Sequence, residues 1–332
     1  MNCQRIRVAI ATFAAVFFVV IAAPAWSSST ATNGILRVTI QDLTTDPYFG
    51  AFDVSTGPSH PQPDETVLYP FGTSFFTLRD VAAATMWVNS DDPTDPGLLG
   101  YALKNLNTDV GVTRSFAPIG TSGFRATWTL PNFTIQQDVV IVGTTLADTR
   151  VDHKVTVTNT TGAPRQYGLR YMWDWQIAGN DGSLFRTRNP DGSFSSNTVA
   201  YTAPAFQYYE EVDSIATPTF SIFGSVLNGG TTPEIVRYSD WPTSDDSAWG
   251  YTDPASAADD SSTVYFWGFA APLSMAAGAS ASVLESISTQ QSAVGGPVVS
   301  QVVPGPTGAA LIPVALLVLL VGYWALRRSA RR

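Results

Sequence analysis

The stretch Val151–Gly182, VDHKVTVTNTTGAPRQYGLRYMWDWQIAGNDG, decides the fold. Val151, His153, Val155 and Val157 share one side of an extended segment, with Asp152, Lys154, Thr156 and Thr158 on the other. That is the period-two pattern of a half-buried strand. Asn159-Thr-Thr-Gly-Ala-Pro supplies turn residues, and the chain resumes with Tyr167, Leu169, Tyr171 and Trp173 on one side and Gly168, Arg170, Met172 and Asp174 on the other. The spacing predicts a β-hairpin that delivers Asp174 and Trp175 into the Gly-rich segment Gly179-Asn180-Asp181-Gly182.

Outward from this stretch the same pattern recurs in short pieces. Leu36, Val38 and Ile40 alternate with polar residues, as do Phe124, Ala126, Trp128 and Leu130. Further strands are expected at Ser74–Arg79, Thr85–Val88, Ile135–Val142, Phe206–Glu210, Thr219–Phe223, Glu234–Tyr238, Thr263–Phe269 and Ser280–Ile287, separated by Asp-Pro, Asn-Gly and Asp-Gly turns. From Ile35 onward no amphipathic helix exceeds about three turns. Many short strands without intervening helices predict an all-β protein, a large antiparallel β-sandwich over residues 26–288. Three long irregular stretches, Asp42–Thr66, Gly179–Pro204 and Ser239–Asp260, have the length of functional loops.

The ends of the 332-residue chain carry an address. Arg5 and Arg7 precede the apolar run Val8–Ala23, and Ala23-Pro24-Ala25 presents small residues to a signal peptidase, so residues 1–25 read as a cleaved signal peptide. Residues 289–306 read as a Pro/Gly/Ser-rich linker, and the uncharged run Gly308–Leu326 is long enough to cross a bilayer as a transmembrane helix. Four arginines in the tail 327–332 place that end inside and the domain outside. The expectation is an exported cell-surface protein anchored in the cytoplasmic membrane. The order of Pro304-Gly305-Pro306, apolar helix and Arg cluster resembles C-terminal sorting signals handled by exosortase- or archaeosortase-type enzymes, which implies a sorting transpeptidase as partner. Between the terminal arginines, 12 basic residues face 27 acidic ones, a net of −15. Such a surface repels phosphate backbones, so nucleic acid is excluded as a partner. The single cysteine, Cys3, leaves with the signal peptide, and a domain of this size buries enough apolar surface without disulfides.

The blocks Asn159-Thr-Thr-Gly, Gly168-Leu-Arg-Tyr-Met-Trp-Asp, Gly179-Asn-Asp-Gly-Ser-Leu-Phe-Arg, Tyr209-Glu-Glu-Val, Tyr238-Ser-Asp-Trp and Trp249-Gly-Tyr resemble a group of uncharacterised secreted bacterial proteins. Their architecture is similar to that of the galactose-mutarotase-like class. The resemblance covers Val151–Phe269 and implies a large β-sandwich of a kind found in many carbohydrate-active proteins.

Three constellations carry candidate chemistry. Asp174, Asn180, Asp181 and Asp191 are hard oxygen ligands in Gly-containing loops, the set Ca2+ prefers, although Asn-Asp-Gly is equally an ordinary turn sequence. Trp241, Trp249, Tyr251 and Trp175 flank irregular segments and suit stacking on a sugar such as an envelope polysaccharide, with Trp241 and Trp249 expected as the exposed pair. Glu210, Glu211 and Asp213, with Asp240, Asp245 and Asp246 further on, are either an acidic, well-solvated loop rim or, in the neighbourhood of Asp174, Glu210 and Asp213, the carboxylates from which a carbohydrate-active enzyme would draw an acid and a base. Histidine is confined to His60 and His153, and His153 falls on the apolar side of its strand, the place of a core histidine. Binding or envelope structure is therefore the leading expectation, and catalysis by loop carboxylates the alternative. Asn132-Phe-Thr and Asn159-Thr-Thr fit the N-glycosylation pattern, the second at a turn from which a glycan would project.

Overall fold

The computed structural model describes residues 27–294 apart from 71, 188–193, 215, 228–230 and 255–256. The expected signal peptide, the C-terminal apolar run, the basic tail, Asp191 and the expected linker beyond residue 294 lie outside the described residues. Among the described residues no helix is long and apolar enough to cross a membrane.

The strands in chain order are β1 (Ser28–Thr32), β2 (Leu36–Gln41), β3 (Phe52–Thr56), β4 (Phe75–Asp80), β5 (Thr85–Val88), β6 (Ala102–Asn105), β7 (Thr113–Ile119), β8 (Gly123–Thr129), β9 (Phe133–Val142) and β10 (Arg150–Asn159). They continue with β11 (Arg165–Asp174), β12 (Leu184–Thr187), β13 (Val199–Thr202), β14 (Tyr208–Val212), β15 (Ser221–Ser225) and β16 (Ile235–Asp240). The short helix α1 (Trp241–Asp245) follows, then β17 (Ser261–Trp267), β18 (Leu273–Met275), β19 (Ser280–Ser288) and α2 (Gln291–Val294). A first sheet runs β12-β14-β15-β19-β10-β9-β8-β7, and a second runs β13-β16-β17-β11-β4-β5-β6, with β18 beside β11. A third, β1-β2-β3, adds Leu36, Val38, Ile40, Phe52 and Val54 to the core shared by the large sheets. Among the described residues the paired strands are antiparallel except β5 with β6, and a parallel bridge joins Asp95 to Ser247.

The expected hairpin does not form. β10 pairs with β9 and β19 in the first sheet, whereas β11 pairs with β4, β17 and β18 in the second. The turn after Asn159 is an arch from one sheet to the other. Alternation correctly sorted the faces, since Val151, His153, Val155 and Val157 meet Leu169, Tyr171 and Trp173 in the common core. It could not sort the partners: two strands with their apolar sides facing each other across a sandwich have the same pattern as two paired side by side.

The two large sheets differ on their outer faces. β10 keeps Lys154 in water and alternates between buried and partly exposed positions. β11 is buried on both faces from Tyr167 to Asp174. Its second face, with Arg170 and Met172, belongs to a separate apolar cluster of Phe75, Met86, Val88, Ile235, Val264 and Phe266. Residues 241–251 and Phe269 cover that cluster, with Trp249 at its centre. Gly168 makes room for this cover, because a Cβ there would lie 2.6 Å from Trp249 Cη2.

Candidate functional site

Three arginines on β4, β11 and β16 of the second sheet hold the cover down. Arg170 on β11 is fully buried, and its guanidinium donates to the carbonyls of Ser247 (2.7 Å) and Ser244. Arg237 on β16 donates to the carbonyl of Tyr251 at 3.0 Å, and Arg79 on β4 to that of Phe269 at 3.3 Å and to the Tyr101 hydroxyl at 3.2 Å. Their π-partners lie on the same face, with Arg170 over Phe75 at 5.1 Å, Arg237 over Tyr251 at 5.0 Å and Arg79 over Trp249 at 5.6 Å. A planar cation against rings and carbonyls is held with little need of a carboxylate. Burial draws the Arg170 pKa down to about 10, a shift opposed by Tyr251 and Asp245.

At one end of this sheet, α1 caps the site. Trp241 N donates to the Asp260 carbonyl at 2.7 Å, and Ser244 Oγ shares a 2.7 Å hydrogen bond with Ser262 Oγ. Ser262 stands opposite Asp174 across the β11–β17 ladder, so α1 rests beside Asp174. Thr94 N and Asp95 N both donate to the Asp246 carbonyl, stitching the segment before β6 to the end of α1. Burial pushes the Asp174 carboxyl up to about 9, opposed by the Thr73 hydroxyl and reinforced by Asp260, Asp245 and Asp181. It likewise pushes Asp245 up to about 8, reinforced by Asp92 and opposed by Arg170. Asp260 rises to about 6, again chiefly through burial.

Two adjoining depressions lie beside the cover, the second along α1. One, of about 530 Å³, is lined by Asp95–Tyr101 and Gly250. The other, of about 470 Å³, is lined by Thr94, Asp95, Pro242, Thr243, Asp246, Ser247, Gly250 and Tyr251. Asp95 and Gly250 belong to both, so the two form one groove.

The sequence-derived aromatic set divides. Tyr251 lines the groove, its hydroxyl 2.7 Å from Ser239 Oγ, and the half-buried Trp241 precedes the lining residue Pro242. Trp249 and Trp175 correct the expectation of exposed rings. Trp249 is 2% exposed and stacked on Phe269, while Trp175 is fully buried between the sheets with its indole nitrogen donating to Thr263 Oγ1. Position in an irregular stretch does not reveal that a ring folds back onto a sheet. Asp246, one of the candidate carboxylates, lines the groove, as do Tyr101 and Asp95, which carry no such signal in the sequence.

The four oxygen ligands do not act as a set. Asn180 clips its own turn, Oδ1 accepting from Gly182 N and Nδ2 donating to the carbonyls of Gly182 and Asp213. Asp181 accepts from Gln176 Nε2 at 2.8 Å. Among the described residues no group of three or more His, Cys, Asp and Glu side chains is placed to hold a metal ion. The enzyme candidates are engaged separately: Glu210 pairs with Arg186, and Asp213 accepts from the backbone of Thr219 and Phe220. Neighbouring Glu211 is buried, accepts from Ser183 and Thr263, and is pushed by burial up to about 8. His60 contacts Gln62 and Thr289, and the buried His153 faces Glu285 at 3.4 Å, its pKa drawn down to about 3 by burial. His153 is thus the core residue its strand position implied. Asn159 is fully buried, its amide donating to the carbonyls of Ala163, Met275 and Ala276, so no glycan projects from that turn.

No protein-family model and no curated protein matches the chain. Among solved structures, a galactose mutarotase related enzyme from Lactobacillus acidophilus is similar over 80% of this chain and 99% of its own, at 10% identity and a TM-score of 0.50. A galactose mutarotase-like protein from Lactobacillus casei is similar over 79% of this chain and 99% of its own, at 9% identity and a TM-score of 0.48. At such identity the likeness is one of fold, and it agrees with the architecture that the sequence blocks implied.

Proposed function

We propose that this chain is an exported surface protein that binds carbohydrate in the groove along α1 without transforming it. The carrying observation is the groove itself, lined by Thr94, Asp95, Thr243 and Asp246 together with Tyr101 and Tyr251. Flat rings beside hydroxyl and carboxylate groups complement the alternating apolar faces and hydroxyl edges of a sugar. The neighbouring proteins' names, a galactose mutarotase related enzyme and a galactose mutarotase-like protein, favour a sugar over other polar ligands. A binding role is favoured over catalysis because both histidines are engaged away from α1 and because Glu210 and Asp213 already have partners. Export and anchoring rest on residues 1–25 and the apolar run 308–326, with an envelope polysaccharide as a fitting partner.

The test is a glycan array probed with the full chain and with Tyr251→Ala. Loss of a ring from the wall should weaken a bound glycan about tenfold, the equivalent of some 1.4 kcal/mol. Hydrolysis or epimerisation of any bound glycan would replace the binding reading with the enzymatic one.

A further inference from the structure

The groove is chemically divided along its length. Pro96, Leu98, Leu99 and Tyr101 line the first depression, and Thr94, Thr243, Asp246 and Ser247 line the second, with Asp95 and Gly250 common to both. One half therefore offers mainly carbon, the other hydroxyl and carboxylate oxygens. Leu99 is 100% exposed, whereas its neighbour Leu98 packs against the apolar cluster under the cover. The turn that presents Leu99 is braced on both sides. Tyr101 N donates to the Leu98 carbonyl at 3.2 Å, and Gly100 supplies the positive φ of 83° that such a turn needs after Leu99. Asp95 Oδ1 accepts from Gly97 N at 2.9 Å, and Gly250 N donates to the Gly97 carbonyl at 3.2 Å, which ties the loop to the cover. Arg79 donates to the Tyr101 hydroxyl and lies over its ring at 5.2 Å. A leucine held bare on a braced turn inside a groove is pre-organised for an apolar contact, because the loop is ordered before any ligand arrives.

Resting on the carbohydrate reading above, we infer that the groove selects an uncharged glycan with a methyl-bearing substituent, the methyl of a deoxysugar or of an N-acetyl group, set against Leu99 while the adjoining sugar unit presents its hydroxyls to Thr94, Asp95 and Thr243. The division of the lining carries the choice of substituent. A fully hydroxylated sugar at Leu99 would leave the leucine without an apolar partner and would take its own hydroxyls away from water, whereas a methyl group removes carbon from water on both sides of the contact. The charge of the lining carries the choice of a neutral ligand. Asp95 and Asp246 line the groove and no Lys or Arg does, so a uronate, sulfate or phosphate group would be repelled. Sugar hydroxyls donate to carboxylate oxygens and both donate to and accept from threonine hydroxyls, which suits the second half.

The experiment is calorimetry on the full chain with two matched pairs of neutral probes and one anionic probe. The pairs are galactose against D-fucose, which has a methyl in place of the hydroxymethyl group, and cellobiose against N,N′-diacetylchitobiose, which adds acetyl groups; galacturonate is the anion. The methyl-bearing member of one pair is expected to bind about fivefold more tightly than its match, the effect of roughly one methyl group removed from water, and the pair that shows it identifies the substituent. Leu99→Ser should erase that preference, and since Leu99 is fully exposed the variant should fold as the wild type does. Val110→Ser, also at a fully exposed position but outside the groove, should retain it. A preference that survives Leu99→Ser, or equal affinities within both pairs with binding lost in Tyr251→Ala, would overturn this inference and leave the groove standing. So would tighter binding of galacturonate than of galactose, or array hits that all lack deoxy and acetylated sugars. A dimer in sedimentation that Leu99→Ser dissolves would assign Leu99 to a second copy of the chain instead. No binding of any probe, with no glycan retained on the array, would overturn the carbohydrate reading and this inference with it.

Discussion

The two large sheets begin with similar strands and end in different environments. On the first, the outward side of β10 is Asp152, Lys154, Thr156 and Thr158, with Asp152 paired to Arg150 at the surface. On the second, the corresponding side of β11 is Gly168, Arg170, Met172 and Asp174, and all four are buried under residues 241–251. The same period-two code therefore marks a solvated face in one sheet and a second interior in the other. What separates them is the partner for the polar groups: water for Lys154, the carbonyls of the cover for Arg170.

Substitution at equivalent polar positions is the strongest way to break this contrast. Arg170→Met strips donors from the Ser244 and Ser247 carbonyls and should cost about 4 kcal/mol in denaturant unfolding. Lys154→Met on the exposed side of β10 should stay within about 0.5 kcal/mol. Similar losses from both would mean that the cover is not a structural layer.

The pH dependence of stability sharpens the same contrast. Asp174 and Asp245 titrate higher in the folded chain, at about 9 and about 8, so the folded state holds protons that the unfolded state releases. Their contribution is complete below about pH 4 and is lost as pH rises through the folded values. His153 acts oppositely: drawn down to about 3, it contributes above about pH 6.5 and loses that contribution as pH falls. Between pH 6.5 and 9 the carboxyls should dominate, with stability falling by on the order of 3 kcal/mol. Thermal melts of wild type and the Asp174→Asn/Asp245→Asn pair check this, the pair giving the flatter curve. A wild-type melting temperature that rises over this range would contradict buried acids under α1.

A smaller effect is expected at Gly168. Valine there would place a side chain against Trp249 Cη2 and should lose about 2 kcal/mol, read as a lower denaturation midpoint. Gly162, in the arch after β10, has open space around a Cβ, and Gly162→Ala should change stability by no more than about 0.5 kcal/mol.

The sequence made the strand faces legible because burial leaves a periodic trace. The apolar sides of Val151–Val157 and Leu169–Trp173 both reach the core. Strand partners were not legible, since an arch between sheets and a hairpin within one share that trace. The strands β1, β3, β6, β7, β12, β13 and β18 were not legible, those of three or four residues having little alternation to read, although the equally short β5 is marked by its apolar and β-branched residues. The stretch Ser239–Asp260 was correctly singled out as irregular, and it contributes α1 and much of the groove. Which of its rings face water was not legible: Tyr251 lines the groove while Trp249, two residues earlier, fills the cover. The other wall, Asp95–Tyr101, gave no local signal beyond its turn residues, because its place beside α1 is set by pairing of Thr94 and Asp95 with Asp246 across the fold.

The most direct measurement is a crystal structure of the protein soaked with the best-bound neutral glycan. The account predicts sugar density along α1, against Tyr251 and Asp95. Density on the outward face of the first sheet, beside Lys154, with the α1 groove empty, would contradict it.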